Sequence, residues 1–509
     1  MSAPRPRRSR FVLAAILALY LLLTAAYGVV NPLFEAPDEH WHYFTAQTIA
    51  DTRRLPSVPA EGYDEWLSQE AAQPPLYYLL GALLIAPIDT AGAREQVWLN
   101  PFASVGDASA LTNLNRAVQT PAAAWPWRGY ALAAHLLRLF STLLGLGTLL
   151  CVYASGRLLW PAEPSKALLA AALVAFLPQF NFLHAAITND ALIIFLASLA
   201  LWQILRLWRG AATVGRLLLL GATIGLAALT KNAGVLLLLY AAGMLGLRWL
   251  RDAPRRPRAL IVHLLLLAAP VAALAGWLWA RNWLLYGDPL ATEPFIRIAG
   301  GDRGYTLWQV LGESRGLWLS LFAVFGWFNL RAPLPVYWVW NGLVALAIAG
   351  ALRGWLPRGR RGRRDRPQLK ALLAHPPLLL AGWALLVYAG LVAFMLRTEA
   401  AQGRLLFPAL VPLALGLAHG LTAAPILRRL APLWAALALG TSLICLLFVI
   451  RPAYAPPPLV DRLPATAVSL DVAVGQGLTL VGAEVETQTA VPGQPVWLTL
   501  YWRAAGPGV

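Results

Sequence analysis

Between positions 35 and 44 the chain concentrates Glu35, Asp38, Glu39, His40 and His42, all groups that move protons or hold charge, in a sequence otherwise dominated by Leu, Ala and Gly. Pro37 at a first helical position would open a helix running to about Arg53. On that helix Asp38 and His42, spaced i and i+4, share a face. A carboxylate at a membrane boundary, partly withdrawn from water, is suited to act as general base toward an acceptor hydroxyl or amine. The competing reading is that Asp38 and Glu39 only favour the dipole of the helix they begin. His40 and His42 are two residues apart and point to different faces, so joint metal ligation is disfavoured and local hydrogen bonding is the simpler expectation.

The same kinds of residue recur elsewhere: Gln73 before a Pro-Pro pair, Asp190, Lys231, Arg281, Arg397, Gln402 and Arg404. Guanidinium groups suit phosphate through paired hydrogen bonds, so Arg404 and Arg397 are candidates to meet the phosphate of a membrane-embedded donor. Lys231 and Arg281 are weaker instances of that argument. Snorkelling of long cationic side chains to the interface is the alternative for all four.

The elements that must position these residues are membrane spans. Of 509 residues 59% are hydrophobic and 13% charged, which excludes an ordinary soluble domain. Repeated apolar runs of about 17–25 residues are long enough to cross the hydrocarbon core. Hydropathy predicts eleven spans, near 11–30, 129–151, 167–183, 191–205, 217–230, 233–249, 260–280, 336–352, 377–396, 405–421 and 431–450. The first is read as a retained anchor behind a basic cytoplasmic N-terminus, 1–10. Two shorter apolar pieces, 76–88 and 316–328, fall in the external loops 31–128 and 281–335 and are expected to lie at the interface. Treating 316–328 as a full span would place the very basic stretch 353–370 outside, against the positive-inside rule.

With this threading the excess of positive charge faces the cytoplasm. The net charge of +17 then reflects topology and anionic lipid, and nucleic acid is not an expected partner. Cys151 and Cys445 fall in separate apolar runs and read as buried small hydrophobes. A glycine-rich nucleotide loop is not evident, and the carboxylates form no convincing metal cage; no cofactor is expected, with a divalent metal left open. The transmembrane region spans 11–451. From there the texture changes to alternating apolar and polar residues with a Pro492-Gly493 turn, which predicts an external β-rich segment, 452–509, possibly short of a complete sandwich. Every polar cluster named above falls at the external end of the spans.

The order of these motifs resembles the GT-C fold glycosyltransferases, specifically bacterial members of the family-39 type, protein mannosyltransferase-like and aminoarabinose transferase-like. The resemblance rests on the Asp38-Glu39 pair after the first span, Gln73-Pro-Pro-Leu-Tyr-Tyr78, Thr188-Asn-Asp190, Leu229-Thr-Lys231, Arg281-Asn282 and Gln402-Gly-Arg404. It implies transfer of a sugar from a polyprenyl-phosphate donor to a lipid, glycan or protein acceptor on the external face of a bacterial plasma membrane. By that analogy Asp38 is the base and Glu39 assists placement. Arg404, with Lys231, meets the donor phosphate, and His42, Gln73, Asp190, Arg281, Arg397 and Gln402 complete the substrate site. The residue before Pro74 is Gln, where the mannosyltransferases tend to have His, so sugar specificity does not carry across. Two other classes fit a polytopic chain: a lipid-linked sugar transporter or flippase, and a catalytically silent relative acting in envelope assembly. Polar groups clustered at one end of the spans, not at the midplane, favour the enzyme.

Overall fold

A computed structural model describes residues 6–252, 256–355, 376–487, 489, 491–492 and 496–506. Arg255, most of the basic stretch 353–370 and Gly493 of the predicted turn lie outside the described residues. The chain divides into two compact units, Met1–Tyr454 and Ala455–Val509.

The first unit is helical. The helices formed by the apolar runs begin with α1 (Pro6–Val30) and, after α2 (Glu39–Thr52) and α3 (Leu76–Ile85), α4 (Gly129–Leu159). They continue with α5 (Pro164–Ala175), α6 (Pro178–His184), α7 (Asn189–Arg209), α8 (Val214–Ala228), α9 (Gly234–Arg251) and α10 (Pro257–Tyr286). The last four are α11 (Leu334–Trp355), α12 (Pro376–Met395), α13 (Leu410–Leu421) and α14 (Ala431–Cys445). This is a multi-pass helical membrane protein. Among the described residues eight helices are long and apolar enough to cross a bilayer, and α5 with α6 makes a ninth crossing if the pair counts as one span.

Each of the eleven expected spans coincides with a helix or a helix pair, but not all are full length. The third is broken, with a 64° bend between α5 and α6. Pro178 lacks the N–H that would continue the helical ladder and forces Leu177 into an extended conformation (φ −74°, ψ 119°). The fifth, α8, is only 15 residues long. It lies close against α10: a Cβ on Gly221 would stand 2.3 Å from the Leu267 carbonyl oxygen, so only glycine permits the approach.

The two short apolar pieces do not span. The helix α3 covers ten residues, burying Tyr77, Tyr78 and Ile85 while leaving Leu80, Leu83 and Leu84 exposed. The piece near 316–328 is a nine-residue helix, Ser314–Phe322, followed by the short pairing of Val324–Phe325 with Leu330–Arg331. The helix α10 continues to Tyr286, so Arg281 and Asn282 belong to its last two turns and not to the loop that the sequence suggested.

The second unit contains one antiparallel layer of three strands in chain order, β1 (Val468–Ala473), β2 (Leu478–Val485) and β3 (Leu498–Ala504). The β-rich expectation from 452 onward matches this layer, with the unit boundary three residues later.

Candidate active site

The loop after α1 is tied down by its carboxylates. Glu35 accepts from the backbone N–H groups of Arg116 (2.8 Å) and Ala117 (2.9 Å), bringing a distant part of the long loop onto the start of α2. Burial pushes its carboxyl up to about 7. Glu39 is wholly buried and receives two hydrogen bonds of 2.7 Å from Arg138 of α4. The backbone N–H groups of Phe34 and Ile187 also donate to it, at 2.9 and 3.0 Å. Arg138 completes its own set on the carbonyls of Gly28, Asn31 and Pro32. The Glu39 carboxylate therefore fastens α1, α2, α4 and the α6–α7 turn together.

Between these two anchors stands Asp38. It precedes the first turn of α2 instead of belonging to it, so Pro37 does not start the helix as expected. Its backbone is left-handed (φ 63°, ψ 2°), and its side chain makes no capping hydrogen bond. A left-handed non-glycine residue costs about 1–2 kcal/mol, which the fixed loop on either side sustains. The effect is to turn the carboxylate away from its own helix. It meets Arg404, with Nη2 2.5 Å from Asp38 Oδ2.

Arg404 lies in the 3-10 turn Gly403–Ala409 that leads into α13. Its Nε donates to Gln402 Oε1 at 2.8 Å, and its guanidinium lies 5.5 Å from the Phe328 ring centroid. The remaining Nη1 is 3.6 Å from Asp190 Oδ2. Asp190 sits in the first turn of α7, which Thr188 caps by accepting from the Asp190 backbone N–H at 3.1 Å. Because Thr188 is the cap, the Asp190 side chain is free to pair with Lys231 Nζ. Lys231 is delivered by the turn after α8, which is held to α3 by a 2.9 Å hydrogen bond from Leu76 N–H to the Leu229 carbonyl.

The result is a cluster of two carboxylates and two cations drawn from four separate segments. Arg404 and Asp190 are almost wholly buried, whereas Asp38 and Lys231 retain about a fifth of their side-chain exposure (20% and 22%). The two partly open groups are the ones a substrate can reach.

Beside this cluster lies a second network. His42 Nδ1 is 2.9 Å from the Tyr78 hydroxyl and 3.3 Å from Glu70 Oε2, and the Tyr78 hydroxyl donates to that same Glu70 oxygen. Asn189 Nδ2 bridges Gln73 Oε1 (3.0 Å) and Tyr78 (3.3 Å). Burial, reinforced by the Asp38 charge, pushes the Glu70 carboxyl up to about 8, and burial takes His42 down to about 3. Burial thus favours the neutral form of the Glu70 carboxyl, which accepts from Tyr78, and the uncharged imidazole of His42. Glu70, Gln73, Tyr78, Arg281, Asn282 and Thr45 are among the residues lining a small pocket.

The structure thus brings Asp38, Asp190, Lys231, Gln402 and Arg404 into direct contact, with His42 and Gln73 in the adjoining network and Arg281 on the pocket wall. Arg281 donates to the Pro56 carbonyl at 2.8 Å. Arg397 is elsewhere: it is exposed and bonds Glu293 through two N–H groups (2.9 and 3.0 Å) and Asp302 at 2.7 Å. His40 is buried against Trp41 and Trp327 and makes no hydrogen bond through either nitrogen. Glu70 and Arg138 were not anticipated. Arg138 carried a signal, being an arginine within an apolar run, which needs a buried partner; Glu70 carried none. Among the described residues, no group of three or more His, Cys, Asp or Glu side chains is arranged to hold a metal ion.

The family model for dolichyl-phosphate-mannose-protein mannosyltransferases matches residues 121–279. No curated protein matches the whole sequence significantly. Among solved structures, ArnT from Cupriavidus metallidurans bound to undecaprenyl phosphate is 16% identical, with a TM-score of 0.48 over 86% of this chain and 64% of that one. The arabinofuranosyltransferase AftD from Mycobacteria gives 16% identity and a TM-score of 0.48 over 91% of this chain and 28% of that one. The protein O-mannosyltransferase Pmt1–Pmt2 complex of S. cerevisiae, bound to its sugar donor, gives 19% identity and a TM-score of 0.36 over 56% and 35%. The chain therefore spans less than two thirds of the length of each of these three solved chains. The resemblance to GT-C glycosyltransferases read from the sequence is supported by the family match within the transmembrane region.

Proposed function

We propose that the chain is a membrane glycosyltransferase that moves a sugar from a polyprenyl-phosphate-linked donor to an acceptor hydroxyl or amine. In this reading Asp38 is the general base, and Arg404 and Lys231 receive the phosphate that leaves. The observation that carries it is the Asp38–Arg404–Asp190–Lys231 cluster: a partly exposed carboxylate beside two cations, all at the ends of apolar helices. Acceptor attack on the anomeric carbon needs a base for the acceptor proton and positive charge at the departing phosphate, within one site. The cluster supplies both. A single displacement of this kind inverts the anomeric centre.

Glu39 acts by position, holding the backbone that presents Asp38. Gln402 orients Arg404, and Asp190 holds Lys231 and the outer edge of Arg404. The distribution of basic loops supports a site on the external side of a bacterial plasma membrane. The test is turnover of radiolabelled polyprenyl-phosphate sugars by the purified protein. Asp38→Asn should lower it by about 10²–10⁴-fold while the protein still folds and binds donor. Undiminished transfer by that variant would remove Asp38 from the chemistry.

A further inference from the structure

Both cations of the cluster already have a carboxylate partner. Lys231 is held by Asp190, and Arg404 directs Nη2 to Asp38, Nε to Gln402 and Nη1 toward Asp190. An arriving phosphate that binds both Nη atoms of Arg404 side by side competes with Asp38 at Nη2 and meets Asp190 beside Nη1. Asp190 is 4% exposed and built into the first turn of α7. Asp38 is partly open, lies before its helix in a left-handed conformation and makes no capping hydrogen bond. Asp38 is the group that gives way.

We propose that Arg404 is handed between Asp38 and the substrate phosphate, so that phosphate binding releases the base and recapture of Arg404 by Asp38 expels the product. The proposal rests on the glycosyl-phosphate reading above. The charge count of the transfer agrees with it. The acceptor oxygen forms its bond to the anomeric carbon and its proton passes to Asp38. The anomeric carbon–oxygen bond breaks, and its electron pair stays on the phosphate. The donor is a phosphodiester with one negative charge; the product is a monoester whose second ionisation, near pH 6, leaves it about doubly charged. Asp38 loses one negative charge as the phosphate gains one, so the site keeps the same total throughout. The product therefore sits on Arg404 and Lys231 opposite a protonated Asp38. When Asp38 loses that proton it competes again for Arg404, and the phosphate leaves.

This predicts that binding of the product phosphate takes up a proton. The groups that face Asp38 and its partners are Arg404, Lys231, Asp190, His42, Glu70, Tyr78 and His184. Of the groups around Asp38, Glu70, pushed up to about 8 by burial, is the one whose own proton must be controlled for. The experiment is isothermal titration of the full-length protein at pH 8, in buffers of different ionisation enthalpy, with a short-chain polyprenyl phosphate and, separately, inorganic phosphate. Wild type should take up about one proton per phosphate bound. Glu70→Gln should retain that uptake. Asp38→Asn should show none and bind roughly tenfold more tightly, its competing charge being gone. Inorganic phosphate should give the same proton count at weaker affinity.

Binding to wild type without proton uptake, uptake lost in Glu70→Gln, uptake confined to the lipid-bearing ligand, or no gain of affinity in Asp38→Asn each overturns the proposal and leaves the glycosyltransferase reading standing. Failure of either ligand to bind wild type overturns both. If Asp38→Asn does not fold, the proton counts of wild type and Glu70→Gln decide.

Discussion

Arg138 and Glu39 face one another through two hydrogen bonds of 2.7 Å in a place neither shows to solvent. The guanidinium's other acceptors are the backbone carbonyls of Gly28 in the last turn of α1 and of Asn31 and Pro32 in the α1–α2 connection. Removing one partner of a buried ion pair leaves the other uncompensated, at about 3–5 kcal/mol. Arg138→Met should therefore lower the unfolding midpoint substantially, followed by tryptophan fluorescence in detergent. An unchanged midpoint would show that the pair does not hold the Asp38 loop.

Glu70 gives stability a pH dependence whose sign can be worked out. Its carboxyl is raised from the ordinary value of 4.5 to about 8, mainly by burial. Between those values the folded protein holds a proton that the unfolded chain has released, so stability falls as pH rises. Glu35, raised to about 7, acts in the same direction up to that pH. His42 and His40, both lowered to about 3, act oppositely, but only between about 3 and 6.5. Between pH 7 and 8 Glu70 carries the larger part of the decline, with Glu35 completing its titration in the same interval. Glu70→Gln should flatten the decline in melting temperature across that interval, and an equally steep decline in the variant would exclude Glu70 as its source.

The spans were legible because apolar runs leave a helix few other places to go, whereas the break that Pro178 makes between α5 and α6 was not, and hydropathy gives 167–183 as one span. The expectation that the polar clusters share one end of the spans puts Asp38, Asp190, Lys231 and Arg404 together, and the structure has them in contact. Hydropathy, though, carries no distance. Arg397 and Arg404 have the same local signal, yet the turn at 396–402 sends one to Glu293 and Asp302 and the other to Asp38. Arg281 looked like a loop residue because the apolar run ends near 280, while the helix itself persists to Tyr286. Glu70 belongs to no motif; its proximity to Tyr78 and His42 arises from the packing of α3 on α2.

The two arginines should accordingly part company under mutation. Arg397 is partly exposed and its partners are more so, and exposed pairs contribute about 0–1 kcal/mol. Arg397→Ala should leave turnover within a few-fold of wild type, an effect of that same order. Arg404→Ala removes a buried cation from the departing phosphate, for which a loss of about 10²–10³-fold in kcat is the usual scale of an electrostatic contact in the transition state. Parallel kinetics on the two variants decide it; similar losses in both would mean that Arg397 also reaches substrate.

Gly403 offers a test that touches no charged group. Its backbone N–H donates to Ser320 Oγ at 2.8 Å, and a Cβ there would stand 2.2 Å from the Leu321 nitrogen and 2.6 Å from the Leu317 carbonyl oxygen. Backbone atoms of the Ser314–Phe322 helix cannot yield to it as a side chain could. The 3-10 turn would have to move off that helix, taking Arg404 with it. Positioning errors of about 1 Å can cost about 10²-fold in rate. Gly403→Ala should thus lower kcat by that order and weaken the binding of polyprenyl phosphate, although alanine adds one methyl and removes no functional group. The decisive comparison is Gly416→Ala in the neighbouring helix α13, where an added Cβ meets nothing within 4 Å and kcat should stay at the wild-type value. Equal kcat in all three proteins would show that Arg404 is not placed by this contact.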